Sequence, residues 1–109
     1  MSTIAQNSSL LTLINVFTVA PERQQELVDV LIKGTEETVR AFSGFVSANI
    51  HKSADGVRVI NYAQWESKEA FAAFQQDHEA SANVFKEAGK IAEHIDYHIY
   101  TVEHVATKA

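Results

Sequence analysis

Two stretches of this chain, Leu10 to Val19 (LLTLINVFTV) and Val57 to Trp65 (VRVINYAQW), carry apolar side chains on both faces of an extended strand. In the first, Leu11, Leu13, Phe17 and Val19 point one way and Ile14 and Val16 the other. In the second, Val57, Val59, Ala63 and Trp65 oppose Ile60 and Tyr62. A sheet that meets water on one side alternates apolar and polar residues cleanly. These strands do not, so they belong in a sheet that is covered on both faces.

The segments around them set the topology. Pro21, suited to a first helical turn, opens a stretch to Phe42 with Leu27, Leu31, Val39 and Phe42 at helical spacing and Val28 and Ile32 beside them. This predicts a long amphipathic helix ending near Gly44. Gly44 to Lys52 (GFVSANIHK) sets Val46, Ala48 and Ile50 against Phe45, Ser47, Asn49 and His51, which predicts a strand. Asp55-Gly56 then supplies a hairpin turn, since both residues tolerate positive φ. Ser67 is placed to cap a helix through Phe74. Another helix, starting at Asp77 and running from about Glu79 to Ala92, would carry Ala82, Phe85, Ala88, Gly89 and Ala92 on one side. Ile95 to Val105 closes the chain as a strand.

The order is β-α-β-β-α-β with a split second helix. It predicts an α+β, ferredoxin-like fold, a four-stranded antiparallel sheet with helices on one face. The chain has helices enough for one face only. The simplest cover for the other is the sheet of a second copy, giving a homodimer joined through the helix-free sheet face. Residues 10–105 are expected to form the domain, residues 1–9 a disordered or loosely attached segment and residues 106–109 a tail. At 109 residues one core is expected.

Composition removes several kinds of function. With 14 acidic and 9 basic side chains the net charge is −5, and no Lys/Arg cluster stands out, which argues against nucleic acid or an anionic membrane as partner. Apolar runs are far too short for a membrane helix. The chain has no cysteine, hence no disulfide, thiolate metal site or cysteine nucleophile. The first nine residues have neither basic residues nor an apolar segment, so no secretory signal is expected there and the expected location is cytoplasmic.

Chemistry has few places to sit. Asn61 and Trp65, four apart, share a face of their strand, and Asn15 lies on the equivalent side of the first strand between Leu13 and Phe17. The first and third strands are central neighbours in this topology, so the amides would meet beneath the helices. Two amides and an indole in an apolar wall suit a pocket for a small apolar or aromatic ligand. They equally suit a core in which each amide satisfies a neighbour. His94, Asp96 and His98 alternate along the last strand, a set that can bind zinc or iron. No further ligand can be assigned to them, and no metal site is expected. The serines lack a Gly-x-Ser-x-Gly setting and the four glycines are too scattered for a phosphate loop.

Asn15-Val16-Phe17-Thr18-Val19, Pro21, Gly44-Phe45-Val46-Ser47-Ala48 and above all Asn61-Tyr62-Ala63-Gln64-Trp65-Glu66-Ser67 closely resemble the antibiotic biosynthesis monooxygenase family of dimeric α+β barrels. The resemblance runs from about Leu11 to Val102. It implies oxygenation of a small aromatic or enolisable substrate by dioxygen with no cofactor, quinone-forming in the nearest relatives. It further implies Asn61 and Trp65 as catalytic residues, with Asn15, Phe71 and Lys86 near the substrate. Phe71 stands where the polyketide enzymes of the family place a Tyr, and Lys86 is the nearest equivalent of an Arg, keeping its charge without its planar fork. Haem-degrading relatives have a helix Trp and a His after Phe-Lys-x-x. Here Phe74 and Gly89 stand in those places, which argues against haem. The alternative is a non-catalytic or stress-related dimeric barrel that binds a ligand without turnover.

Overall fold

A computed structural model describes residues 2–6 and 9–109. Strands β1 (Leu11–Thr18), β2 (Phe45–Lys52), β3 (Arg58–Trp65) and β4 (His94–Tyr100) form one antiparallel sheet in the order β2-β3-β1-β4, which is the ferredoxin-like order. Helices α1 (Gln24–Glu37), α2 (Lys68–Gln76) and α3 (His78–Ile91) pack on one face. The split second helical region is therefore real. Ser67 Oγ accepts from the Ala70 amide at 3.1 Å at the start of α2, and Asp77 Oδ1 accepts from the Ala80 amide at 3.0 Å at the start of α3.

Three local expectations need correction. The first helix does not run unbroken to Phe42: α1 stops at Glu37, Thr38 leaves helical geometry at φ −127°, and a 3-10 turn over Val39–Ala41 completes the connection. The run Thr35, Thr38 and Val39 is β-branched, which weakens a helix that has no other reason to continue. Second, β2 has an irregularity at Val46. Phe45 pairs with Trp65 and Ser47 with Gln64, so Val46 is the extra residue of a bulge. A bulge moves one residue across the pleat. Phe45 thus joins Ala48 and Ile50 on the helix side, while Val46 is exposed. Third, the buried stripe of α3 is Ala80, Val84, Ala88 and Ile91, so Ala82 and Gly89 face away.

The last strand ends at Tyr100 rather than Val105. Part of the N-terminal segment is tied to the body: the Thr3 carbonyl accepts from Gln64 Nε2 at 2.9 Å, and Gln6 Oε1 accepts from the Val105 amide at 2.8 Å. Met1, Asn7 and Ser8, also assigned to the loose segment, lie outside the described residues. Among the described residues no helix is long and apolar enough to cross a membrane.

The helix-covered face of the sheet holds two separate apolar clusters. One gathers Leu11, Leu13, Ala63 and Trp65 with Val39, Phe71, Phe74, Ala80 and Val84. The other gathers Phe17, Val19 and Val59 with Leu27, Val28, Leu31, Ala88 and Ile91. Between Leu13 and Phe17 on β1, and between Ala63 and Val59 on β3, stand Asn15 and Asn61. The seam between the two clusters is polar.

Candidate active site

Antiparallel register makes Asn15 and Asn61 direct partners across β1 and β3. Their side chains share the helix-covered face with Leu13, Phe17, Val59 and Ala63, so the two amides lie side by side beneath the helices. Asn15 is only 5 % exposed. Asn15 Oδ1 and Asn61 Oδ1 are both buried and find no hydrogen-bond partner among the described residues. A buried acceptor left unpaired costs about 1–3 kcal/mol.

Space lies beside them. A cavity of about 410 Å³ opens between α2, α3 and the β1–β4 edge, lined by Leu13, Asn15, Phe71, Gln75, Ser81, Phe85, Ile95 and Tyr97. A smaller one of about 40 Å³ lies deeper, bounded by Asn61, Trp65, Phe45, Ala48 and Phe74 among others, and it shares Leu13, Asn15, Phe71 and Phe85 with the outer space. The larger volume falls within the roughly 300–1,000 Å³ usual for small-molecule sites. Its mouth exists because the helices stop short of β4: Ile95, Tyr97 and Ile99 project on the helix side of the sheet, yet they are 38 %, 53 % and 52 % exposed.

Trp65 forms the floor of the deep end. It is 2 % exposed and surrounded by rings: Phe74 stacks on it with centroids 5.5 Å apart, Phe45 meets it edge-on at 5.5 Å, and Phe71 lies tilted at 5.7 Å. Phe74 in turn touches Phe85 at 6.2 Å and Phe42 at 5.1 Å. The bulge at Val46 makes this cluster possible, since without it Phe45 would face the other way. Aromatic walls with a few polar groups between them suit a flat, apolar ring system and hold it away from water.

Of the five site residues expected from sequence, four meet here: Asn61 and Trp65 at the inner end, Asn15 at the junction, and Phe71 in the wall of both spaces. Lys86 does not join them. It is exposed on α3 and lines neither space, whereas its neighbour Phe85 lines both. One residue is a turn of about 100° on a helix, enough to carry a side chain from pocket to solvent. Tyr97, Gln75 and Ser81 were not foreseen. Tyr97 was legible in principle, because alternation in β4 that sets His94, Asp96 and His98 on one side sets Ile95, Tyr97 and Ile99 on the other. Those imidazoles and Asp96 lie on the helix-free side, where Asp96 and His98 pair at 2.9 Å. Among the described residues no group of three or more His, Cys, Asp or Glu side chains is arranged to hold a metal ion.

Fold and pocket together define an α+β protein with a space between its sheet and helices of the size that small molecules occupy. The comparisons with known proteins give that class its family. Residues 10–86 match the antibiotic biosynthesis monooxygenase family. Over 77 residues, 71 % of this chain and 69 % of the relative, it is 52 % identical to tetracenomycin-F1 monooxygenase of Streptomyces glaucescens. The monooxygenase from the gene ActVA-Orf6 of Streptomyces coelicolor, solved with nanaomycin D, superposes with a TM-score of 0.81 at 30 % identity, covering 91 % of this chain and 92 % of that one. SnoaB of Streptomyces nogalater, a cofactor-independent oxygenase, shares the fold with a TM-score of 0.70 at 15 % identity, covering 93 % of this chain and 100 % of that one. The chain belongs to the antibiotic biosynthesis monooxygenase family, and it is a monooxygenase.

Proposed function

We propose that this monooxygenase converts a hydroxylated, fused-ring aromatic substrate to a quinone with dioxygen and no cofactor. The observation that carries the reading is the pair of buried amides in an aromatic-walled cavity, Asn15 at its junction and Asn61 at its inner end, whose carbonyl oxygens have no partner among the described residues. The aromatic walls around Trp65 support the substrate class, and the similarity to tetracenomycin-F1 monooxygenase supports the reaction type.

The chemistry asks little of the protein. An electron-rich phenol or its keto tautomer, once deprotonated, passes an electron to dioxygen, and the radical pair collapses to a carbon peroxide. The O–O bond then breaks as the remaining C–H bond on that carbon is lost. A ring CH₂ becomes C=O, one oxygen atom leaves as water, and the four electrons taken up by dioxygen come from that one carbon. The site must favour the anion, orient the reacting carbon and exclude water. Asn61 is assigned, through its Nδ2–H, the hydrogen bond to the substrate oxygen that carries the developing charge. Trp65 walls the ring and offers its indole N–H. Phe71 supplies ring contact alone, and exposed Lys86 receives no role inside the pocket.

Oxygen uptake with anthrone and 1-naphthol tests the proposal. Asn61→Ala and Trp65→Phe should each lower kcat/KM by about 10²-fold, in line with removal of one donor from a site of charge stabilisation. Uptake by the unaltered protein no faster than by these variants would overturn it.

We further infer a homodimer joined through the helix-free sheet face. Half-buried Ile14, Val16, Ile60 and Tyr62 form its centre and are covered by no helix among the described residues.

A further inference from the structure

Register across the sheet places three polar side chains in one row: Asn61 on β3 faces Asn15 on β1, and Asn15 faces Tyr97 on β4. All three are on the helix-covered side. Asn15 is the middle member, more than nine-tenths buried, and it alone of the three lines both the deep and the outer cavity. Its carbonyl oxygen has no partner among the described residues. Tyr97, 53 % exposed, stands at the mouth.

We infer that Asn15 is a specificity-determining residue that reads a second hydroxyl of the substrate, placed 1,3 on the ring to the oxygen held at Asn61. This rests on the oxygenase reading for the identity of the ligand and deepens it. The argument is one of spacing. Neighbouring strands lie about 4.8 Å apart, and directly opposed side chains leave the sheet at about that interval. The oxygens of two hydroxyls placed 1,3 on a benzene ring stand about equally far apart. Adjacent 1,2 oxygens are too close together, and 1,4 oxygens reach only the upper end of the spacing of opposed side chains. An amide oxygen without a partner accepts a hydrogen bond, so the group it selects is a donor, and a phenol is the donor an aromatic ligand can present in a dry slot. Tyr97, next in the row, can meet a third oxygen at the mouth, where its exposure leaves it open to water and makes its share small.

A site built to pair with a hydroxyl rejects the analogue that lacks it, because its own buried group is then left unpaired. Calorimetric titration without oxygen, with naphthalene-1,3-diol, naphthalene-2,3-diol and 1-naphthol, reads this preference directly. The unaltered protein should bind the 1,3-diol about tenfold more tightly than either of the others, the equivalent of one such hydrogen bond. Asn15→Leu, close in shape and without polar atoms, should bind all three within about twofold of one another. Equal binding of the three by the unaltered protein overturns the inference, and so does a preference that survives Asn15→Leu. The unaltered protein needs no variant to fold for the first of these outcomes to be read. Oxygen uptake measured in parallel separates the two readings. Uptake together with a preference indifferent to residue 15 sinks this inference and leaves the oxygenase standing. A preference that depends on Asn15 without uptake sinks the oxygenase and leaves the reading of the second hydroxyl intact.

Discussion

At the scale of single residues, the site conflicts with the stability of the fold. Asn15 and Asn61 interrupt two apolar clusters, and their two buried oxygens have no partner among the described residues. Proteins retain such groups where binding uses them, at a cost to the ligand-free state. Asn15→Leu should therefore stabilise the ligand-free protein by about 1–2 kcal/mol, because it removes an unpaired acceptor without changing side-chain volume much. In a domain of this size that raises Tm by roughly 4–16 °C. A calorimetric scan showing a lower Tm would mean that the Asn15 amide already has its partner in the free protein. The amides were visible in the sequence because strand alternation places them on the apolar face. The contribution of α3 was not: a one-residue uncertainty in helical phase separates Phe85, which lines the pocket, from Lys86, which does not. Strand phase has only two values, and helical phase is continuous, so lone aromatic residues on a helix are harder to place.

At the scale of elements, two turns hold the strands that carry the site. Gly44 sits at φ +86°, and a Cβ built there would lie 2.4 Å from the Ala70 Cβ on α2. The carbonyl of Gly44 also accepts from the Glu66 amide at 2.7 Å, which ties the start of β2 to the end of β3 just before α2. Gly44→Ala should cost roughly 3 kcal/mol, combining a left-handed backbone penalty of about 1–2 with an overpacking penalty of about 1–3. Ala70→Gly on that background should recover the overpacking share less the roughly 1 kcal/mol that glycine costs within a helix, as urea denaturation of both single variants and the double variant would measure.

The β2–β3 hairpin is held differently. The Asp55 carboxylate is kept below the ordinary carboxylate range, chiefly by the Ser53 hydroxyl at 2.6 Å, then by the Val57 amide at 3.2 Å and the Arg58 guanidinium at 3.1 Å. Buried Gln24, at the start of α1, donates to the Ser53 and Arg58 carbonyls, both at 3.0 Å, and so fastens the turn to the helix. A folded-state pKa below the unfolded one means that this support is complete above the unfolded value and is lost as pH falls through the folded one. Between about pH 5 and pH 2, Tm should fall more steeply in the unaltered protein than in Asp55→Ala, and the two curves should run parallel above pH 6. Parallel curves throughout would show that Asp55 makes no pH-dependent contribution. The Asp-Gly turn was legible in sequence, whereas the bulge at Val46 was not. A bulge depends on how two strands pair, and Val46 is as good a strand residue as Phe45.

At the scale of the whole molecule, the element order in the sequence already contained the β2-β3-β1-β4 sheet, because right-handed crossovers and a tight hairpin leave few other arrangements. What it could not contain is the shape of the cavity, which depends on how far α2 and α3 reach across the sheet and leave β4 uncovered. The helix-free face bears on assembly. Ile14 and Val16 on β1 pair with Tyr62 and Ile60 on β3, a block of four apolar side chains in the middle of that face, and Thr12, Gln64 and the N-terminal segment through Thr3 occupy one end of it. A second copy docked by a two-fold axis would bring this block against itself, so each apolar residue meets another, while the polar rows of β2 and β4 on the same face flank the contact. Sedimentation at micromolar concentration should give a species of about twice 12.1 kDa. Ile60→Lys would put two ammonium groups into that contact at once, one from each copy, and burying unpaired charge costs far more than the lost methyl groups. That variant should sediment at 12.1 kDa while keeping its helical circular dichroism. An unaltered protein that sediments at the monomer mass, or an Ile60→Lys variant that remains at twice that mass, would remove this face as the interface.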